Sequence, residues 1–475
     1  MKRILFSMFF MSMLSALFSY SHANNVRISD ITLTNDSTLT FAISWDNSWR
    51  NVHAPGNHDA VWLFIKRKGC ASLKWEHTDL SANMNDHTGS GLLEVFVDGK
   101  DLGPNAKGVF IRRKTHGSGN IVNQTVSIRL TGVANGEFDF KVFGIEMVQI
   151  PEGEFYLGDG NSTNTPYSFK HGSTVNPFLV TSEDIEVNAT TGLYSHGSSA
   201  YTPKELNPKF PKGYNEIYCM KYEISHGQYV EFLNSILSDQ AAARAYLTTA
   251  SRNNVQGTWP NFTTTVPHRA KGFIGWADLC AYLDWSALRP MTELEFEKIC
   301  RGPVEPVAGD YAWGTTTVTN VMTMINDGTP TESCSNPIDV GSGIANYYDV
   351  GIVGPVRCGY AAKPTTDRLT AGATYYGVME MSGNIVEHVV STGHVTGAAY
   401  TGLVGDGEIS SSPGPGFSNV PNWPSQTVNG DNAYGHGTRG GGAAYVMICL
   451  RISDRTYAAN TSGGRYYYMG GRGVR

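Results

Sequence analysis

The chain has 475 residues, more than one ordinary hydrophobic core holds, so two domains are the default. Apolar residues make up 41% and charged residues only 16%, with 53 Gly and 24 Tyr, which excludes a disordered chain, a coiled coil and an idealised helical bundle. A formal charge of −6 argues against a nucleic-acid binder, whose electrostatic footprint is basic.

In chain order, Met1-Lys2-Arg3 is a short basic region, Ile4 to Tyr20 is mostly apolar, and Ser21-His22-Ala23 places small residues at both cleavage-reading positions. Residues 1–23 therefore read as a secretory signal peptide cleaved after Ala23, and the mature protein as exported: periplasmic, cell-surface or secreted. No later apolar run is long enough to span a bilayer. Seven cysteines are scattered without a C-x-x-C, which excludes a zinc ribbon and a disulfide scaffold. In an oxidising compartment the odd count leaves at least one thiol free or paired between molecules.

Residues 24–145 are read as a β-sandwich. Short apolar or alternating runs at Val26–Ile28, Ile31–Leu33, Leu39–Trp45, Ala60–Ile65, Leu93–Phe96, Val109–Ile111 and Val126–Leu130 are separated by Gly, Asn and Asp, with no helical period. Trp45 and Trp62 each sit within an apolar run. They are expected to fill the sandwich core rather than to form a carbohydrate-stacking platform with Trp49. His53, His58 and Asp59 lie close together, but no second pair of metal ligands accompanies them.

After Glu146 the pattern changes. Ser225 is a candidate N-cap for a helix whose face carries Tyr229, Phe232, Leu233, Ile236 and Leu237. Trp276, Leu279, Cys280 and Leu283 form a second helical stripe. Thr292-x-x-Glu295 is a capping box opening a third helix, with Met291 and Phe296 placed as a hydrophobic staple. Residues 401–442 are rich in Gly, Ser, Pro and Asn and read as an ordered functional loop or an insertion.

Several stretches beyond Glu146 resemble the sulfatase-modifying-factor, or formylglycine-generating-enzyme, family. They include Glu146-Met-Val-Gln-Ile-Pro-Glu-Gly-Glu-Phe155, Lys221-Tyr-Glu-Ile-Ser-His-Gly-Gln-Tyr229, Leu288-Arg-Pro-Met-Thr-Glu-Leu-Glu-Phe296, Tyr311-Ala-Trp-Gly314, Gly377-Val-Met-Glu-Met-Ser-Gly-Asn384, Arg439-Gly-Gly-Gly442 and Gly470-Gly-Arg-Gly-Val-Arg475. Their order is the family's. The resemblance covers residues 146–475 and implies an irregular α+β domain related to C-type lectins, preceded here by the sandwich. Catalytic relatives use two cysteines after the Arg-Gly-Gly element to hold copper(I), a task that suits soft thiolates. The corresponding stretch here holds one thiol, Cys449, with Met447 nearby, so family-type oxidation is not expected. The resemblance also implies calcium sites made of hard oxygen ligands. Asn346, Tyr347 and Asp349 are the candidates for one, and the segment from Thr374 to Gly377 for the other. Glu387, His388 and His394 are close in sequence, and a structural role is expected for His388.

The C-terminal segment is the other candidate site. Tyr445, Met447, Cys449, Tyr457, Asn460 and the run Tyr466-Tyr467-Tyr468 cluster there with Ser and Gly; Tyr, Ser, Asn and Gly are the residue types that adaptable binding surfaces use, and in the family's fold this region lines the substrate groove. The alternative is that alternate tyrosines are core. The leading expectation is a non-catalytic binding or structural module for a protein or small-molecule ligand. Two alternatives stand beside it. One is a metal-dependent oxidase using copper; the other is a surface-assembly component similar to gliding-motility relatives.

Overall fold

The computed structural model describes the backbone of residues 19–20 and residues 25–475, other than 71, 134–136, 162, 164, 349, 412–413, 427–432 and 460. Apart from the backbone of Ser19–Tyr20, the signal-peptide reading lies outside the described residues. The architecture follows from one strand, Asp59–Gly69. Its side chains alternate between two cores: Val61, Leu63 and Ile65 enter one cluster, while Ala60, Trp62 and Phe64 enter another. A strand buried on both faces reads as a continuous apolar run, which is how Ala60–Ile65 appears.

The first cluster is the interior of a β-sandwich. One sheet has the order Ser19–Tyr20, Arg27–Asn35, Thr38–Arg50, Gly117–Arg129 and Thr88–Gly89. The two runs predicted at its N-terminal end belong to the single strand Arg27–Asn35. The other sheet carries Leu93–Phe96, Val109–Arg113, Asp59–Gly69 and Phe138–Ile150, and then continues into the second domain through Ile217–Met220, Gly473–Val474 and Arg289–Pro290. Residues 138–148 pair with Asp59–Gly69, and 147–150 pair with Ile217–Met220. Position 145 thus lies within one strand that both domains share.

The second cluster is the core between the sandwich sheet and the helices. Trp62 belongs there, which corrects its expected place in the sandwich interior; its Nε1 donates to Ser286 O at 2.8 Å. Trp45 does fill the sandwich, and its Nε1 donates to Asp59 at 2.8 Å. Asp59 also accepts from Ser48 Oγ and Trp49 N, and His58 Nε2 lies 2.9 Å from the Tyr218 hydroxyl. Both groups are therefore engaged in holding the fold.

The second domain has short strands around α1 (His226–Leu233), α2 (Ser238–Arg244), α3 (Trp276–Trp285), α4 (Glu293–Arg301) and a single turn, α5 (Val395–Ala398). Ser225 and Gln228 close a capping box on α1, and Thr292 and Glu295 close one on α4. Helix α1 ends at Asn234, so Ile236 and Leu237 lie beyond it, just before α2. The described part of 401–442 is packed down: Asp284 on α3 accepts the N–H groups of Asp406 and Asn419. Gly407, at φ +90°, comes so close to the His77 ring that a Cβ would lie 2.0 Å from Nδ1.

The last strand locks the domains together. Arg475 exchanges both backbone hydrogen bonds with Tyr218, at 2.9 and 2.8 Å. Its guanidinium sits 4.0 Å from the Trp62 ring centre and pairs with Asp98 and Asp101 of the sandwich, each at 2.7 Å.

Candidate binding surface

The candidate surface rests on α4, every residue of which is buried. Buried charges persist only when paired, and the three α4 glutamates are. Glu293 takes Arg439 at 3.1 Å and Arg455 at 2.7 Å; Glu297 takes Arg439 at 2.7 Å and Arg301 at 3.4 Å; Glu295 takes Arg289 at 2.6 Å. Burial alone would raise the Glu293 carboxyl, but Arg455 and Arg439 outweigh it and hold it below the ordinary carboxylate range. These pairs tie the strand His436–Arg439 and residue 455 to the helix. Sequence reasoning missed this network. The signal was present as Glu293-x-Glu295-x-Glu297, alternating acids that cannot all face solvent on a helix whose apolar residues lie between them.

A second anchor holds the tyrosine segment. Asp278, in the first turn of α3, takes Arg465 through two bonds of 2.6 Å and Arg244 at 3.1 Å. Main-chain bonds from Phe273 N to Tyr466 O and from Ile274 N to Met469 O run alongside. On this support the aromatic rings meet. Tyr445 lies edge-on to Tyr457 at 4.8 Å and to Tyr468 at 5.3 Å. Tyr466 stacks on Tyr468 at 5.5 Å, and Tyr467 meets Tyr468 edge-on at 5.0 Å. Phe273 and Tyr246 extend the row. Tyr457 and Tyr466 are exposed, at 39% and 44%; Tyr445, Tyr467 and Tyr468 are half-buried. Tyr468, the last of the run 466–468, stands at the centre of the row. Asn460 lies outside the described residues.

Beside the tyrosines, Met447 is exposed on a short 3-10 turn, Met447–Leu450, and Cys449 is buried within it. Burial pushes the Cys449 thiol up to about 12, with Asp454 adding to the effect. Such a thiol stays protonated near neutrality and is a poor nucleophile and metal ligand. Copper(I) held between two thiolates does not fit these residues: all seven cysteines are unpaired, and none stands beside Cys449 in the segment 443–460. No group of three or more His, Cys, Asp and Glu side chains suited to a metal occurs among the described residues. Glu387, His388 and His394 are not brought together. Glu387 pairs with Arg472 at 2.6 Å, and His394 caps α5. His388 is buried beside Trp276 and His436, where burial lowers it to about 4.

The oxygens expected for calcium divide into two cases. Asn346 is fully buried; its Nδ2 donates to Gly354 O at 2.8 Å, while Oδ1 has no hydrogen-bond partner. The orphaned carboxamide oxygen fits a hard cation, whereas the Tyr347 carbonyl already accepts from Asn320 Nδ2 at 2.8 Å. Asp349 lies outside the described residues. In the other segment Thr374 Oγ1 accepts from Val378 N, Thr374 O accepts from Gly377 N, and the Tyr376 carbonyl accepts from Asn57. These three oxygens thus each already accept one hydrogen bond.

The molecule is thus an α+β protein in which an irregular, arginine-bolted domain grows out of one sheet of a sandwich. Residues 141–475 match the family model of the sulfatase-modifying factor enzyme 1-like domain, and the chain belongs to that family. No curated protein is a significant match to it. No helix among the described residues is long and apolar enough to cross a membrane.

Proposed function

We propose that this is an exported binding module that uses the family fold without the cysteine-pair oxidation. The observation that carries the reading is the tyrosine row, open to solvent at Tyr457 and Tyr466, in a segment that holds a single, protonated thiol. Tyr brings contact area at low entropic cost, and the rigid backing from Arg465 and Arg455 reduces the ordering cost of binding. The leader at residues 1–23 supports export. The test has two arms. A peptide bearing Cys-x-Pro-x-Arg, incubated with the protein, copper and oxygen, keeps its mass; conversion of its Cys to an aldehyde overturns the non-catalytic reading. Peptides selected from a random display library on the wild-type protein lose binding to Tyr457→Ala/Tyr466→Ala, whose melting curve stays close to wild type. Unfolding of that variant would make the tyrosines structural and remove the support for the surface.

Calcium belongs to the same reading as a structural ion at the unpartnered Asn346 Oδ1. A ligand that binds only the folded state raises the melting temperature by mass action. Calcium is expected to raise it, chelator to reverse the rise, and Asn346→Ala to abolish the difference; a melting curve indifferent to calcium removes the ion from the scheme.

A further inference from the structure

A cleft of about 690 Å³ lies between the sandwich and the second domain, within the size range of small-ligand sites. Its walls combine two features. Trp49 from the sandwich faces Tyr222, Tyr375 and Tyr376 from the second domain, with the last two rings edge-on at 5.0 Å. Trp49 and Tyr375 are only half-buried, and each carries a cation over its ring: Lys221 Nζ lies 5.0 Å from the Trp49 centre and Arg368 5.5 Å from the Tyr375 centre. The second feature is charge. Lys363 and Arg368 line the same cleft, and among the described residues neither has a carboxylate within ion-pair distance. Lys363 Nζ donates to the Cys334 carbonyl at 2.6 Å, and Arg368 reaches the Ala312 carbonyl at 3.4 Å. Asp367 is the one acid on the lining, and its carboxylate already takes the N–H and hydroxyl of Thr370. Cations in excess of the single acid, beside low-dielectric walls, focus a positive potential into the opening.

We propose that this interdomain cleft binds an acidic saccharide: Lys363 and Arg368 take its carboxylate or sulfate, and the exposed parts of the Trp49 and Tyr375 side chains pack against the sugar ring. Charge-assisted hydrogen bonds to such a group are the strong ones, and they weaken with salt where the site is open. The cleft shares no residue with the tyrosine row, so the proposal stands apart from the reading above.

The full chain is applied to a glycan array carrying uronate and sulfated oligosaccharides beside their neutral counterparts, and the captured acidic sugar is then titrated calorimetrically. Capture of acidic members alone is expected, with affinity falling at least about tenfold in Lys363→Gln/Arg368→Gln. Trp49→Ala should weaken binding as well. If Trp49→Ala unfolds, the charge variant decides, with its melting curve as the control for folding. Capture of no acidic glycan, binding unchanged in Lys363→Gln/Arg368→Gln, or inorganic sulfate binding as tightly as the sugar would each overturn the proposal.

Discussion

Arg475 shows how much one side chain can hold. It is fully buried, and the side chains of its partners Asp98 and Asp101 are only 5% exposed. Burial would raise the Asp98 carboxyl, but Arg475 outweighs it and keeps it below its ordinary value. Removing the cation strands two carboxylates in a low dielectric, which costs about 3–5 kcal/mol where it has been measured. Arg475→Ala is therefore expected to lose stability on that scale in urea denaturation. Arg475→Lys should recover only part, because an ammonium cannot match the two-pronged contact with Asp98. A loss within experimental error would show that the pairs contribute nothing net.

At the scale of elements, α4 separates what periodicity reveals from what it hides. Its start, its cap and its packing residues Leu294, Phe296 and Ile299 are legible, because local chemistry specifies them. The fate of Glu293 is not, because its partners Arg439 and Arg455 arrive through strand pairing far along the chain. Trp62 teaches the same lesson. An apolar run announces burial, not which core receives it. The tyrosine cluster was legible as composition, but the central place of Tyr468 in it was not, since ring geometry has no signature in spacing. The interdomain cleft was invisible for that reason too. Glu293→Ala is expected to cost about 3–5 kcal/mol in chemical denaturation, since it leaves the buried Arg455 guanidinium without a carboxylate and Arg439 with Glu297 alone. The sign with pH follows. A carboxyl held below its unfolded pKa contributes stability above that pKa and loses it as pH falls. The wild type should therefore lose its advantage over Glu293→Ala on acidification.

For the whole molecule, one contribution to the pH dependence near neutrality comes from a different carboxyl. Glu380 is buried beside Glu223, Glu387 and Arg472, and its Oε1 accepts from Gly359 N at 3.0 Å. Burial lifts its carboxyl to about 7, in spite of Arg472 and Arg357. Between the ordinary carboxylate value, about 4.3, and 7, the folded chain keeps a proton that the unfolded chain has released. Raising pH through that window therefore lowers stability. Glu380→Gln, which cannot ionise, is expected to flatten the decline in melting temperature between pH 5 and 8 relative to wild type. Parallel profiles for the two proteins would assign the dependence elsewhere.

The shared sheet also constrains the order of events during synthesis. Trp62 and Phe64 emerge early, yet the helix α3 that covers them and the strand Gly473–Val474 that completes their sheet are translated hundreds of positions later. Contacts of such long sequence separation are slow to form. In the interval the nascent sandwich presents a greasy flank able to recruit a neighbouring chain, the usual route to co-aggregation on polysomes. A fragment ending at residue 145 would keep that flank permanently bare and cut the strand Phe138–Ile150 in two, so the sandwich is a poor unit for recombinant expression on its own.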